Sequence, residues 1–226
     1  MNTATIEKCI ALLNTGKIDD LRDLLNYERE TNILTSKGVK MSLLNAVKKI
    51  VCDNGLKEWR KNLYGIQHTP DGKQFICDGY LLVKWNEEQP ELNALPQTPA
   101  NESIDANNIL RTTASMSKYE LTDSDKIIAE NIDKYIKLYN EKKARKFPVK
   151  YCNKFFDATY LKRAFSVIGT DFEHIFTGKN ENSPLQIYET NYSAVLLPIN
   201  INTIKDEDKT IIEQNTQKFV EQIKGA

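Results

Sequence analysis

Hydrophobic periodicity runs through the same order twice along this chain, and that duplication limits the available folds more than any single motif does. Met41, Leu44, Val47, Lys48 and Val51 follow helical spacing, and the Asp53-Asn54-Gly55 turn closes the segment. The run NLYGIQHT, the turn Pro70-Asp71-Gly72 and the run KQFICDGYLLVKW then predict a hairpin, with Asp78-Gly79 able to start another turn. From Val149 the order returns: a strand in VKYCNKF, a helix in ATYLKRAFSVIG closed by Gly169, and short strands in DFEHIFTG, SPLQIYET and YSAVLLPINI. Each copy, Val39 to Trp85 and Val149 to Ile201, is thus a helix of about eleven residues followed by two or three short strands. This is an α+β pattern. Matching positions in the two copies predict that helices Met41–Val51 and Asp157–Ile168 pack side by side, on one face of strands drawn from both halves. Leu44, Val47, Leu161, Ala164, Phe165, Val195 and Leu197 are the expected core.

The remainder of the chain surrounds this unit. Residues 1–36 read as a helical hairpin broken at Gly16, with Asp19 and Asp20 in the first turn of its second helix. Pro90, Pro96 and Pro99, set among Asn, Gln and Glu, mark an irregular connector over about 86–120. A helix is expected from Asp123 or Ser124 to about Lys146, stopped by Phe147-Pro148, and a last amphipathic helix from Asp206 to Ile223 within 205–226. At 226 residues this amounts to one domain, 37–204, with helical additions at its ends.

Composition excludes several classes. No apolar run approaches the roughly 20 residues needed to span a bilayer. Glu7 and Lys8 interrupt the apolar stretch at the N-terminus, where a signal peptide needs continuity. The four cysteines, Cys9, Cys52, Cys77 and Cys152, form no CxxC pair, which argues against a zinc ribbon or redox motif and for reduced, mostly buried thiols. These features point to a cytoplasmic protein without a membrane partner. The net charge is zero, yet segments 37–85 and 126–169 carry +5 and +7 while the connector between them, 86–125, carries −6. If the two basic blocks fold side by side they make a basic face suited to a polyanion; the alternative is a pair of solvated lysine-rich helix faces.

The second copy carries F-x-A-x-YL-x-x-AF-x-x-IG from Phe156 to Gly169, then Pro184, Leu185 and Ile187, then Ala194 to Ile199. It resembles the closing half of a domain of the bacterial sliding clamp, the beta subunit of the replicative DNA polymerase. The first copy, LLNAVKKIV followed by DGKQFICDGYLLVKW, looks like the opening half of such a domain. The resemblance covers roughly half the chain and implies a non-enzymatic, replication-associated protein that holds duplex DNA without reading bases. A clamp chain has three such domains and this one has room for a single copy, which argues against a closed ring. The additional helices have no counterpart in that family and are expected to cover the sheet edges through which clamp domains join. Richness in Asn, Lys and Ile fits an AT-rich genome such as that of a phage or mobile element.

By the resemblance, phosphate contacts map to Lys48 and Lys49 on the first helix and Lys162 and Arg163 on the second. The rival reading is a protein-interaction module that uses the same fold to bind a replication or host protein, without DNA. No complete catalytic constellation, metal site or cofactor motif stands out. His68 and His174 lack neighbouring ligands at metal spacing, and Asp71 and Asp78 belong to Asp-Gly turns. Ser166 and Ser183 lack a base, and Gly72, Gly79 and Gly178 form no phosphate loop. Tyr151, Phe155 and Phe156 beside Lys150 and Lys154 resemble a single-strand-binding cluster, but strand alternation favours core packing for them.

Overall fold

The computed structural model describes residues 3–36, 41–112, 116–139 and 147–225. Val39, where the first copy was placed, and the helix end toward Lys146 lie outside them. The described chain is α+β. One antiparallel sheet has the order β1-β2-β3-β9-β8-β7-β4, from β1 (Gln67–His68), β2 (Gln74–Cys77), β3 (Leu81–Trp85), β4 (Ser117–Tyr119), β7 (Ile175–Thr177), β8 (Leu185–Tyr188) and β9 (Tyr192–Leu196).

The two copies meet at the centre of this sheet, where β3 pairs with β9 from Leu81–Leu196 to Trp85–Tyr192. The Val83–Ala194 pair is a local pseudo-twofold centre. Turning the register about it carries the pair Ile76–Val83 onto Ile187–Ala194, Phe75–Lys84 onto Gln186–Val195, and Gln67–Phe75 onto Phe176–Gln186. The repeat seen in the sequence is therefore also a repeat of hydrogen-bond register. Alternation along the strands sends Ile76, Val83, Ala194 and Ile187 to one face and Phe75, Leu82 and Val195 to the other.

On the first face lie α3 (Met41–Val51) and α7 (Ala158–Ile168), both of 11 residues, in contact with each other and with the strands, as their matching positions predict. Leu44, Val47, Leu161, Ala164 and Phe165 are buried between helices and sheet. Asp157 caps α7, accepting from the Thr159 amide at 2.8 Å, and Gly169 closes it at φ +79°. Beside α7 packs α6 (Asp123–Tyr139), and beside α6 packs α8 (Asp206–Lys224), so the helical layer runs α3, α7, α6, α8. The hairpin α1 (Thr3–Asn14) and α2 (Ile18–Ser36) flanks the α3 end, with α2 against a 3₁₀ turn at Pro90–Ala94. No helix among the described residues is long and apolar enough to cross a membrane.

Several expectations are corrected. Residues 86–120 do more than join: Leu92 and Ala94 enter the main core, and α5 (Ala106–Thr112) covers the second face of the sheet. There Ala106 and Leu110 pack with Leu56 of α4 (Asn54–Trp59), a short helix that Asp53 caps in the same turn that follows the end of α3. Two buried glutamines tie this layer down. Gln67 accepts from the Ile104 amide at 2.9 Å and Gln186 donates to the Leu110 carbonyl at 3.2 Å. The same segment, and not the terminal helices, serves both ends of the sheet: β4 is its last strand, and Ile66 beside β1 pairs with Gln97. Gly65, at φ +89°, permits that approach, since a Cβ there would lie 2.4 Å from the Pro96 carbonyl oxygen.

VKYCNKF is a hairpin, not one strand: β5 (Pro148–Tyr151) and β6 (Lys154–Asp157) join through Cys152 and Asn153 at φ 48° and 58°, as a two-residue primed turn demands. Leu197, expected in the core, is 43% exposed, one residue past the end of β9. Ile6, Ile10, Leu13, Ile18 and Leu25 of the N-terminal hairpin are also exposed, so its apolar spacing is only partly used for packing.

Candidate nucleic-acid interface

A helix that lays Leu44, Val47, Ile50 and Val51 on the sheet has only its remaining arc for charge. On α3 that arc holds Lys48 and Lys49, about 100° apart, and they face different surroundings. Lys49 is exposed with Ser42 and Asn45. Lys48 is half-buried in a groove of about 250 Å³ between α3 and the N-terminal hairpin, lined also by Lys8, Leu12, Asp23 and Cys52. Desolvation lowers its pKa, and Lys8 pushes the same way. The groove is fastened by Lys57 of α4, which pairs with Asp20 and reaches Asp23 at 3.6 Å. The Lys57 hydrogen bond holds the Asp20 carboxyl below its usual range.

On α7, Lys162 is exposed and its Nζ lies 2.5 Å from Asp133 of α6. Arg163 turns the other way, its guanidinium 5.5 Å from the Tyr160 ring centre. The structure thus brings Lys49, Lys162 and Arg163 onto the two adjacent helices, neutralises Lys162 in part, and sets Lys48 apart on the hairpin side. The four therefore do not share the one basic face expected of the two blocks.

Arg163 leads to a group that sequence reasoning missed. Tyr160 stacks on Tyr80, with ring centres 4.4 Å apart and planes 23° apart. Tyr80 follows Gly79 in the β2–β3 turn, and Arg60 lies against that glycine: a Cβ on Gly79 would meet its Nη1 at 2.4 Å. Below them Asp78 is buried, accepting from the Tyr80 and Leu81 amides at 2.8 Å each. Only the Asp-Gly turn was visible in the sequence; its partners lie about 20 residues before and 80 residues after it.

The other candidates resolve into structure. Tyr151, Phe155 and Phe156 are buried, Lys150 pairs with Glu213 at 2.8 Å, and buried Lys154 donates to the carbonyls of Gly178 and Asn180. They are core and loop anchors. His68 sits in β1, His174 lies exposed just before β7, and the Ser166 hydroxyl donates to the Arg163 carbonyl at 2.6 Å. Among the described residues no three His, Cys, Asp or Glu side chains gather to hold a metal ion. A groove of about 650 Å³ runs between α8 and the β5–β6 turn. The Asp125 carboxylate in it already accepts from Tyr119, Thr122 and the Cys152 amide. All four cysteines are free thiols, and burial pushes those of Cys52 and Cys77 up to about 11, so neither is a ready nucleophile. No family model, curated protein or solved structure matches the chain.

Proposed function

We propose that this protein is a non-catalytic, DNA-associated domain of sliding-clamp-like build that serves a replication-linked process in the cytoplasm. It holds duplex DNA against the outer face of α3 and α7. The observation that supports this reading is the contact of α3 with α7 over the pseudo-twofold sheet, which sets exposed Lys49 and Lys162 and neighbouring Arg163 on adjoining helices of a neutral protein. Such cations contact phosphates without base readout, so binding is sequence-blind and weakens with salt. Lys48 adds little, because it faces the groove under the hairpin.

The test is duplex binding by fluorescence anisotropy at low salt. The double variant Lys49→Glu/Lys162→Glu is expected to lose binding while keeping its fold. Asp133→Asn, which releases Lys162 from its ion pair, is expected to tighten binding by a few-fold. Unchanged affinity in both variants would remove the helix face from the account. A second reading, an adaptor that binds a protein and no DNA, is favoured by the exposed Ile6, Ile10 and Leu13 of α1. It gains if wild-type protein fails to shift duplex DNA at any salt concentration.

A further inference from the structure

We propose that the surface around Trp59, Arg60, Tyr80, Tyr160 and Arg163 is a binding site for unpaired nucleic acid, in which bases stack on Trp59 and Tyr80 and phosphates pair with Arg60 and Arg163. The site stands apart from the duplex reading and shares only Arg163 with it.

Three observations converge. Trp59, at the end of α4, is 83% exposed, the largest exposure among the big hydrophobic side chains of the described residues, although water is a poor environment for an indole ring. Tyr80 keeps 37% of its surface exposed while stacked on Tyr160, so the stack can be extended by a further flat ring. Guanidinium groups flank that stack: Arg163 lies over Tyr160, and Arg60 rests on the bare Cα of Gly79, next to Tyr80 and directly after Trp59 in the chain. A side chain at position 79 would displace Arg60, so the turn glycine also shapes the site.

The chemistry selects the ligand. Alternating aromatic and guanidinium groups are what a single strand uses, since each base offers a ring face and each linkage a phosphate that a guanidinium can bind in bidentate fashion. A paired duplex hides its base faces and cannot use Trp59 or Tyr80. The acids nearby offset the cations only in part, Asp78 by attracting Arg163. Asp78 is buried and occupied by two amides, and exposed Lys61 offsets exposed Glu58.

The chain supplies its own probe. It has two tryptophans, and Trp85 is only 4% exposed within the core, so ligand-dependent quenching reports Trp59. Titration with oligothymidylate of about 12 nucleotides at low salt is expected to quench this emission saturably. Tyr80→Ala and Arg60→Ala are each expected to weaken binding about tenfold by anisotropy, and Trp59→Phe to retain most affinity where Trp59→Ala loses it. Circular dichroism checks that these surface variants remain folded. An abasic strand of equal length carries the same phosphates and is expected to bind at least about tenfold more weakly. Lys49→Glu is expected to leave oligothymidylate binding intact while impairing the duplex, which separates this site from the helix face. Absence of quenching, equal affinity for the abasic strand, or indifference to Tyr80→Ala and Trp59→Ala would each overturn the proposal.

Discussion

Replacing Phe165 by alanine empties the point where α7 meets both the β5–β6 hairpin and the loop after the helix. The ring stands edge-on to Tyr151, with centres 5.6 Å apart and planes at 68°, and tilts against Phe172 at 5.9 Å. It is buried in the main core among residues of both copies. Truncation removes the transfer energy of the ring and leaves a cavity in a scaffold held by two layers, a loss of about 3 to 5 kcal/mol. In a chain of this length each kcal/mol lowers the melting temperature by about 2 to 4 °C, so a fall of about 6 to 20 °C is expected. Urea unfolding should show a lower midpoint at an unchanged slope, which identifies lost stability and not a changed denatured state. Phe165→Leu, which keeps much of the volume, should recover most of the loss. As a control, Ser166→Ala, one residue on and exposed, should stay within about 0.5 kcal/mol. A melt of Phe165→Ala that matches the wild type would show that α7 turns a different face to the sheet.

Gly65→Ala should destabilise by about 1 to 3 kcal/mol, since φ is +89° and the new methyl would strike the Pro96 carbonyl; a neutral result in the same melts would mean that the connector does not pack on this edge. Burial raises the pKa of Asp78 against the opposing pull of the Leu81 and Tyr80 amides and Arg163. A carboxyl that binds its proton more tightly folded than unfolded adds stability below the ordinary carboxylate range and loses it as pH rises through the folded value. Asp78→Asn keeps the acceptor oxygen without the charge, so its stability relative to wild type should grow as pH rises above about 4, and a flat difference would refute the buried-carboxylate assignment. The thiols of Cys77 and Cys52, raised by burial, should react with a disulfide reagent at neutral pH far more slowly than a free cysteine, reaching its rate only on unfolding.

Regular periodicity was legible over the chain. The spacing of Leu44, Val47 and Val51, and of Leu161, Ala164 and Phe165, located both central helices, and short alternating runs between turn residues located β1, β2, β3, β7, β8 and β9. Elements without period were hidden: α4 and α5 have 6 and 7 residues, and Leu92 and Leu95 sit among prolines and polar residues that read as a linker. The turn at Cys152-Asn153 lacks the glycine that announces most primed turns. At the candidate site the basic residues were visible, but their environments depend on distant partners. Asp133 beside Lys162, the N-terminal hairpin over Lys48, and Tyr80 under Tyr160 are all brought in by tertiary packing.

The central claim, that a neutral protein presents a cationic face of paired helices to DNA, is tested most directly by the salt dependence of its binding to a nonspecific duplex. Two to three phosphate contacts from Lys49, Lys162 and Arg163 should give a log–log slope of about −2 to −3, and charge reversal at each should bring it about one unit nearer zero. Wild-type protein that leaves duplex DNA unbound at low salt, or a slope that ignores all three substitutions, would contradict it.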